Sequence, residues 1–152
     1  MSKNETQHWI DYKGYAKFAE TGPEMGVKAV LEELQAKIGF TFKHGNQGFP
    51  LSVVCESDGK DGAFILHPDF IVEMPQPCWG QPQKVIEVDG IYHFTHWQQK
   101  KRRWRDSLLL KHGYDVIHID ARLAIGKWRQ RELKPMLLKA LVHGSPVEMI
   151  WY

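Results

Sequence analysis

The sequence predicts a single α/β domain in which a mixed sheet of four or five strands is flanked by helices. Three observations predict it. Segments of helical period alternate with strand-type runs along the chain. Two apolar runs, VIEV (85 to 88) and VIHI (116 to 119), have the character of strands covered on both faces. A chain of 152 residues with 43% apolar and 25% charged residues can also enclose a core without metal or disulfide staples.

Residues 1 to 22 mix aromatics and lysines without a clean period and are expected to form an arm or a short helix, ahead of one domain over 23 to 152. Thr21-Gly22-Pro23-Glu24 combines a capping residue, a proline near the first turn and an early carboxylate. Val27, Val30, Leu31 and Leu34 then recur at helical spacing, which predicts a helix from about 23 to 37 that stops near Gly39. Three β-type runs follow, FTFKH (40 to 44), LSVVCES (51 to 57) and AFILHPDFIVEM (63 to 74), and their Gly-, Asn- and Asp-rich separators predict a meander. The proline-rich PQPCWGQPQ (75 to 83) reads as a loop. In the strand KVIEVDG (84 to 90), alternation puts Val85, Glu87 and Asp89 on one face and Ile86 and Val88 on the other. Residues 97 to 112 fit a basic amphipathic helix with Trp97, Trp104, Leu108 and Leu109 inward and Gly113 as its cap. YDVIHID (114 to 120) is a further strand, and 122 to 142 a last helix carrying Lys127, Arg129 and Arg131.

Composition narrows the class of partner only slightly. A formal net charge of +2 does not announce a nucleic-acid partner, so the placement of charge has to decide. Lys100, Lys101, Arg102, Arg103 and Arg105 crowd into one stretch, QKKRRWRD. Cys55 and Cys78 have neither metal-binding spacing nor a disulfide framework, which fits a reducing compartment. The amino-terminal MSKNETQHW lacks a secretion-type apolar run, and no segment reaches the ~20 apolar residues that span a bilayer. A cytoplasmic protein without a membrane partner is expected.

The chemistry is concentrated in acids that interrupt apolar strands. Asp69 follows His67-Pro68 and precedes Phe70-Ile71-Val72, while Glu87 and Asp89 stand inside Ile86-Glu87-Val88-Asp89-Gly90, shortly before His93. Asp and Glu in such strands are costly unless paired or bound to a cation. On neighbouring strands they would make an oxygen-rich pocket suited to Mg²⁺ or Mn²⁺. Phosphodiester cleavage needs such an ion, both to neutralise developing charge and to help form hydroxide.

These residues carry a resemblance. Pro68-Asp69 with Glu87-x-Asp89 resembles the PD-(D/E)xK nuclease superfamily, with Asp89 where a lysine usually stands. The longer series is Glu24, Asp69-Phe70, Glu87-Val88-Asp89-Gly90-x-x-His93 and Arg105-Asp106-x-x-Leu109-x-x-x-Gly113-Tyr114. It is similar to the branch that holds the very-short-patch repair endonucleases, their small relatives and homing endonucleases with an E-D-x-H-D arrangement. The resemblance covers about residues 23 to 120 and implies a restriction-endonuclease-like core and an Mg²⁺-dependent (or Mn²⁺-dependent) DNA endonuclease. It implies Asp69, Glu87 and Asp89 as metal ligands and His93 as general base or positioning group. Glu24 would touch a metal-bound water, and Asp106 would orient His93 or a basic neighbour. His93, or a basic residue such as Lys43, would replace the missing lysine. Arg102 stands where many small relatives are expected to carry an acid.

The basic run opens a helix just beyond His93, where phosphates would have to be held, so Lys100, Lys101, Arg102, Arg103 and Arg105 are candidate DNA contacts. Trp97, with Tyr92, Phe94 and Trp79, could stack on bases. Plainer accounts exist for each residue. Glu24 could be a capping-box acid, Asp69 a turn opener, and Glu87 and Asp89 the wet face of an edge strand. His93 could be structural, as could His67, His96, His112 and His118. Asp106 could simply pair with Arg102, the basic run could be a solvated face, and Trp97 could be core. Two other functions compete, a structure-selective junction resolvase, which would need a dimer, and a non-catalytic DNA-binding module of the same fold. Monomer and homodimer stay open.

Overall fold

The computed structural model describes residues 22 to 45, 50 to 56, 62 to 90 and 96 to 152, with backbone only at 96 and 97. Helix α1 (Pro23–Ile38) leads into strand β1 (Thr41–His44), followed by β2 (Val53–Glu56), β3 (Ala63–Leu66), β4 (Phe70–Glu73) and β5 (Gln83–Asp89). Then come α2 (His96–Lys111), β6 (Tyr114–Asp120), a 3₁₀ turn (Ala121–Ala124), a π-helical turn (Arg129–Leu133), α3 (Lys134–His143) and β7 (Val147–Ile150).

Five strands form one mixed sheet in the order β1-β4-β5-β6-β7. The β1, β4 and β5 neighbours are antiparallel, and the β5, β6 and β7 neighbours are parallel. Because β5 and β6 lie inside the sheet, their apolar residues are buried on both faces. Ile86, Ile117 and Ile119 join Phe40, Phe70 and the α1 and α3 residues Val27, Leu31, Leu137 and Leu141 in the main core. Val85 and Val116 join Leu108 and Leu109 of α2 on the opposite face, with Val53, Cys55 and Leu66. The sheet is thus sandwiched between α1 and α3 on one side and α2 on the other. Among the described residues, no helix is long and apolar enough to cross a membrane.

Several expectations are corrected. The three β-type runs do not form a meander, because β2 and β3 pair only with each other as a separate hairpin and β1 pairs with β4. The run at 63 to 74 is two strands, broken where Pro68 cannot donate to a ladder and Asp69 turns toward β5. The last expected helix is three pieces, a 3₁₀ turn, a π turn and a short α-helix, and β7 follows it. Trp104 does not line the inner stripe of α2. It is 43% exposed and meets Phe64 of β3 edge to face. The arm expected at 1 to 22 falls, apart from Gly22, outside the described residues.

α1 is held by close backbone approach. Its amino-terminal cap is Gly22, without a side-chain cap, and its end is Gly39, whose φ of 86° donates N–H to Gln35 in a left-handed cap. At Gly26 the helix passes so near the 3₁₀ turn that a Cβ would overlap the carbonyl of Ala124. Far from the carboxyl ends of the parallel strands, buried Lys84 and Asp115 form an ion pair of 2.9 Å, with side chains 2% and 7% exposed. Asp115 also accepts from the Gln81 N–H at 2.9 Å, and Lys84 donates to the Trp79 carbonyl at 3.4 Å, so the pair ties the proline-rich loop to the sheet.

Replacing Gly26 with Ala is expected to destabilise the protein by about 1–3 kcal/mol, the usual cost of overpacking against a rigid neighbour. Urea unfolding monitored by circular dichroism measures it. Wild-type stability in the variant would mean that α1 does not sit this close to the 3₁₀ turn.

Candidate active site

The acids that interrupt the strands gather at one end of the sheet. β5 and β6 run parallel in a register that sets Glu87 beside His118 and Asp89 beside Asp120. The antiparallel ladder of β4 and β5 pairs Phe70 with Ile86, which brings Asp69, one residue earlier, alongside the Glu87 end of β5. Asp69 Oδ2 there accepts the Val88 N–H at 2.8 Å. Glu87 and Asp89 lie on a central strand rather than a wet edge.

Basic side chains and two further acids, Glu24 and Asp106, complete the cluster. Glu24, from the first turn of α1, accepts from His44 Nε2 at 2.6 Å instead of closing a capping box. The His44 ring stacks on Phe70, with centroids 4.5 Å apart. Arg105 of α2 donates to Glu87 Oε1 at 3.1 Å. His118 is buried between two aspartates: Nδ1 donates to Asp89 Oδ2 at 2.8 Å and Nε2 to Asp106 Oδ1 at 2.9 Å. With both ring nitrogens donating, His118 is an imidazolium. Asp106 also accepts from Arg102 at 3.5 Å, yet it is buried against His118 and is more than a surface i,i+4 partner.

The electrostatics register the crowding. Burial, with the Glu24 carboxylate beside it, pushes Asp69 up to about 7, against the Val88 N–H and the His44 ring. Burial and the Asp69 charge push Glu87 up to about 8, against Arg105 and His118. Burial alone would lower His118, but its hydrogen bonds to Asp106 and Asp89 prevail and raise it to about 9. Asp69 and Glu87 therefore repel each other in a partly buried place, the circumstance a hard cation relieves. The donor chemistry suits Mg²⁺ or Mn²⁺. Among the described residues, however, no three His, Cys, Asp or Glu side chains are grouped as ligands of one ion, and Glu87 and Asp89 are held by Arg105 and His118.

The sequence-derived candidates divide accordingly. Glu24, Asp69, Glu87, Asp89 and Asp106 come together, whereas His93 lies outside the described residues, as do Tyr92, Phe94 and the Trp97 side chain. Of the basic run, Lys100, Lys101 and Arg103 face solvent, while Arg102 and Arg105 turn inward to Asp106 and Glu87. Lys43 is exposed, on the side of β1 opposite His44. Trp79 sits with Lys84 and His143 at the other end of the sheet, too far away to stack on bases at the acids. Sequence reasoning missed His44 and the bridging role of His118. A histidine in the middle of the apolar run VIHI, two residues before an aspartate, was the available signal for His118.

The three shifts have one sign. Each group binds protons more tightly folded than unfolded, so each stabilises the fold at low pH and loses that contribution as pH rises toward its folded pKa. Asp120 acts at the acid end: burial would raise it, but hydrogen bonds from Arg122 and the Tyr152 N–H lower it, so its contribution disappears on acidification. The metal-free protein is expected to lose stability steadily as pH rises from about 4 to about 9, with Tm falling by about 2–4 °C per kcal/mol. Asp69→Asn should raise Tm at pH 8 and flatten the slope. Calorimetric scans across this range check both, and a Tm that is level or rising from pH 5 to 9 would contradict the cluster's electrostatics.

No protein-family model matches the chain, and no solved structure does. Over 59 residues it is 29% identical to Actin-related protein 5 of Drosophila melanogaster, covering 36% of this chain and 9% of that protein. The chain thus spans only about a tenth of the length of that relative, a likeness too short to show a family.

Proposed function

We propose that the chain is a divalent-metal-dependent DNA endonuclease with a restriction-endonuclease-like core of the PD-(D/E)xK kind. The observation that carries the reading is the gathering of Asp69, Glu87 and Asp89 at one sheet end, from β5 and the turn that enters β4, where burial and neighbouring carboxylates raise both Asp69 and Glu87. The order of α1 before β1 and α2 between β5 and β6, around a mixed sheet, supports it further, as do the outward Lys100, Lys101 and Arg103 on the helix that reaches the site.

Asp69, Glu87 and Asp89 would hold the ion, which supplies charge neutralisation at the scissile phosphate and a more acidic water. The chain's own residues supply the rest. Asp69 is fixed by the Val88 N–H. His118 and Asp106 are positioning residues that aim Asp89, and Arg105 aims Glu87. The Glu24 carboxylate, hydrogen-bonded to His44 and within electrostatic reach of Asp69, would accept a proton from attacking water, the task the resemblance gives to His93.

A non-catalytic DNA-binding module is the second reading. It is favoured by the engagement of Glu87 with Arg105 and of Asp89 with His118, which leaves no three acids grouped on one ion among the described residues.

Supercoiled plasmid with Mg²⁺ or Mn²⁺ is expected to be nicked or linearised by the wild type, with activity lost on chelation. Asp69→Ala should lower the rate at least ~10²-fold, the scale of losing one preorganised electrostatic group. Equal background from wild type and variant over linear, mismatched and four-way-junction DNA would defeat the enzyme reading. Calorimetry showing no divalent binding, even with DNA present, would then favour the module.

A further inference from the structure

Beside the acid cluster the surface carries a second feature that the proposed chemistry does not use. β6 ends at Asp120, whose Cα partner in the parallel ladder is Asp89. Asp120 is buried and grips Arg122 as a fork: Arg122 Nε donates to Oδ1 at 3.0 Å and its terminal nitrogen to Oδ2 at 2.6 Å. The Tyr152 N–H donates to the same carboxylate at 3.3 Å, which brings the residues after β7 against β6. The Arg122 guanidinium carbon lies 4.9 Å from the centroid of the Tyr152 ring. Trp128 meets that ring edge to face at 5.3 Å, and Lys127 Nζ lies 5.2 Å from the Trp128 ring. Gly126, with a φ of 61°, makes the turn that swings Lys127 and Trp128 back toward the sheet end.

The result is a row of cation, ring, ring and cation, anchored by one buried carboxylate. The Trp128 side chain packs partly against the main core, as a structural aromatic would. Tyr152 does not: the residue is 63% exposed, and the Arg122 side chain over it is 47% exposed. Lys127 is exposed as well, and among the described residues no carboxylate lies within ion-pair distance of it. Exposed aromatic faces interleaved with fixed cations suit a nucleic-acid strand, in which phosphates meet the cations and a base or sugar meets the ring whatever the sequence. Holding Arg122 in place beforehand lowers the entropy lost on binding.

We propose that Lys127, Trp128, Tyr152 and Arg122 form a nucleic-acid contact that takes the phosphodiester backbone of the DNA flanking the acid cluster. This rests on the endonuclease reading and adds to it the path of the strand: away from Asp89, across the end of β6 and over Tyr152. Adjacent strands are ~4.8 Å apart. Asp120, which anchors the row, therefore stands one strand from Asp89, on the side away from Asp69. It is separate from the Lys100, Lys101 and Arg103 surface of α2.

The test uses the full chain, a fluorescein-labelled duplex of random sequence and Ca²⁺ buffer, with anisotropy read from low to moderate salt. Lys127→Glu and the double variant K127A/Y152A change exposed side chains, and an unchanged Tm confirms that they fold. Each is expected to bind about tenfold more weakly than wild type, and K127A/Y152A to show a salt slope lower by about one, as the loss of one phosphate contact requires. In plasmid cleavage both should raise KM and leave kcat near wild type. If wild type binds and cleaves while the variants match it in affinity and salt slope, the contact is refuted and the endonuclease reading stands. If wild type neither binds nor cleaves DNA, both are refuted.

Discussion

The parallel pairing of β5 with β6 is the constraint on which the rest of the structure depends. Its register alone decides that Glu87 stands next to His118 and Asp89 next to Asp120, and both strands are covered on each face by apolar packing. Acids on such strands can reach solvent only at the strand ends. Each is met there by a partner from another element: Arg105 from α2, His118 from β6, and the Val88 amide for Asp69. Parallel strands need a long crossover, and α2 is that crossover, so the helix that completes the topology also delivers the counter-charges.

This arrangement gives the basic run a double use. Arg102 and Arg105 serve inside the molecule, where they hold Asp106 and Glu87, while Lys100, Lys101 and Arg103 remain at the surface. Helical spacing permits the division, since 102 and 105 lie three apart on one side of the helix and 103 points away from it. Even with these cations the cluster is over-supplied with negative charge around Asp69, whose neighbours include Glu24, Glu87 and Asp89. A folded domain that concentrates carboxylates in this way forgoes stability at the site, a pattern common where binding or chemistry is carried out.

Much of this was legible in the sequence because it is local. The period of Val27, Val30, Leu31 and Leu34 marked α1, and alternation in KVIEVDG put Val85, Glu87 and Asp89 on one face, which the structure turns toward α2. What failed was non-local. Whether FTFKH pairs with the next run or with Phe70–Glu73 depends on the whole sheet, so the hairpin of β2 and β3 could not be separated in advance. His44 entered the site only through that unforeseen pairing. The proline-rich loop was placed near the acids by chain proximity, yet the length of β5 carries its end to the other side of the sheet. The 3₁₀ and π turns after β6 go with the close approach at Gly26 and the turn at Gly126, neither of which leaves a periodic signature.

The ion pair of Lys84 with Asp115 joins the first halves of the two strands that bear Glu87, Asp89 and His118. Their beginnings are thereby clamped, together with the loop that Gln81 fastens to the same carboxylate. Repulsion among the acids at the far ends of these strands therefore meets a pair of strands already tied together at their beginnings. The buried ion pair at one end of the sheet is in this sense the brace for the acids gathered at the other.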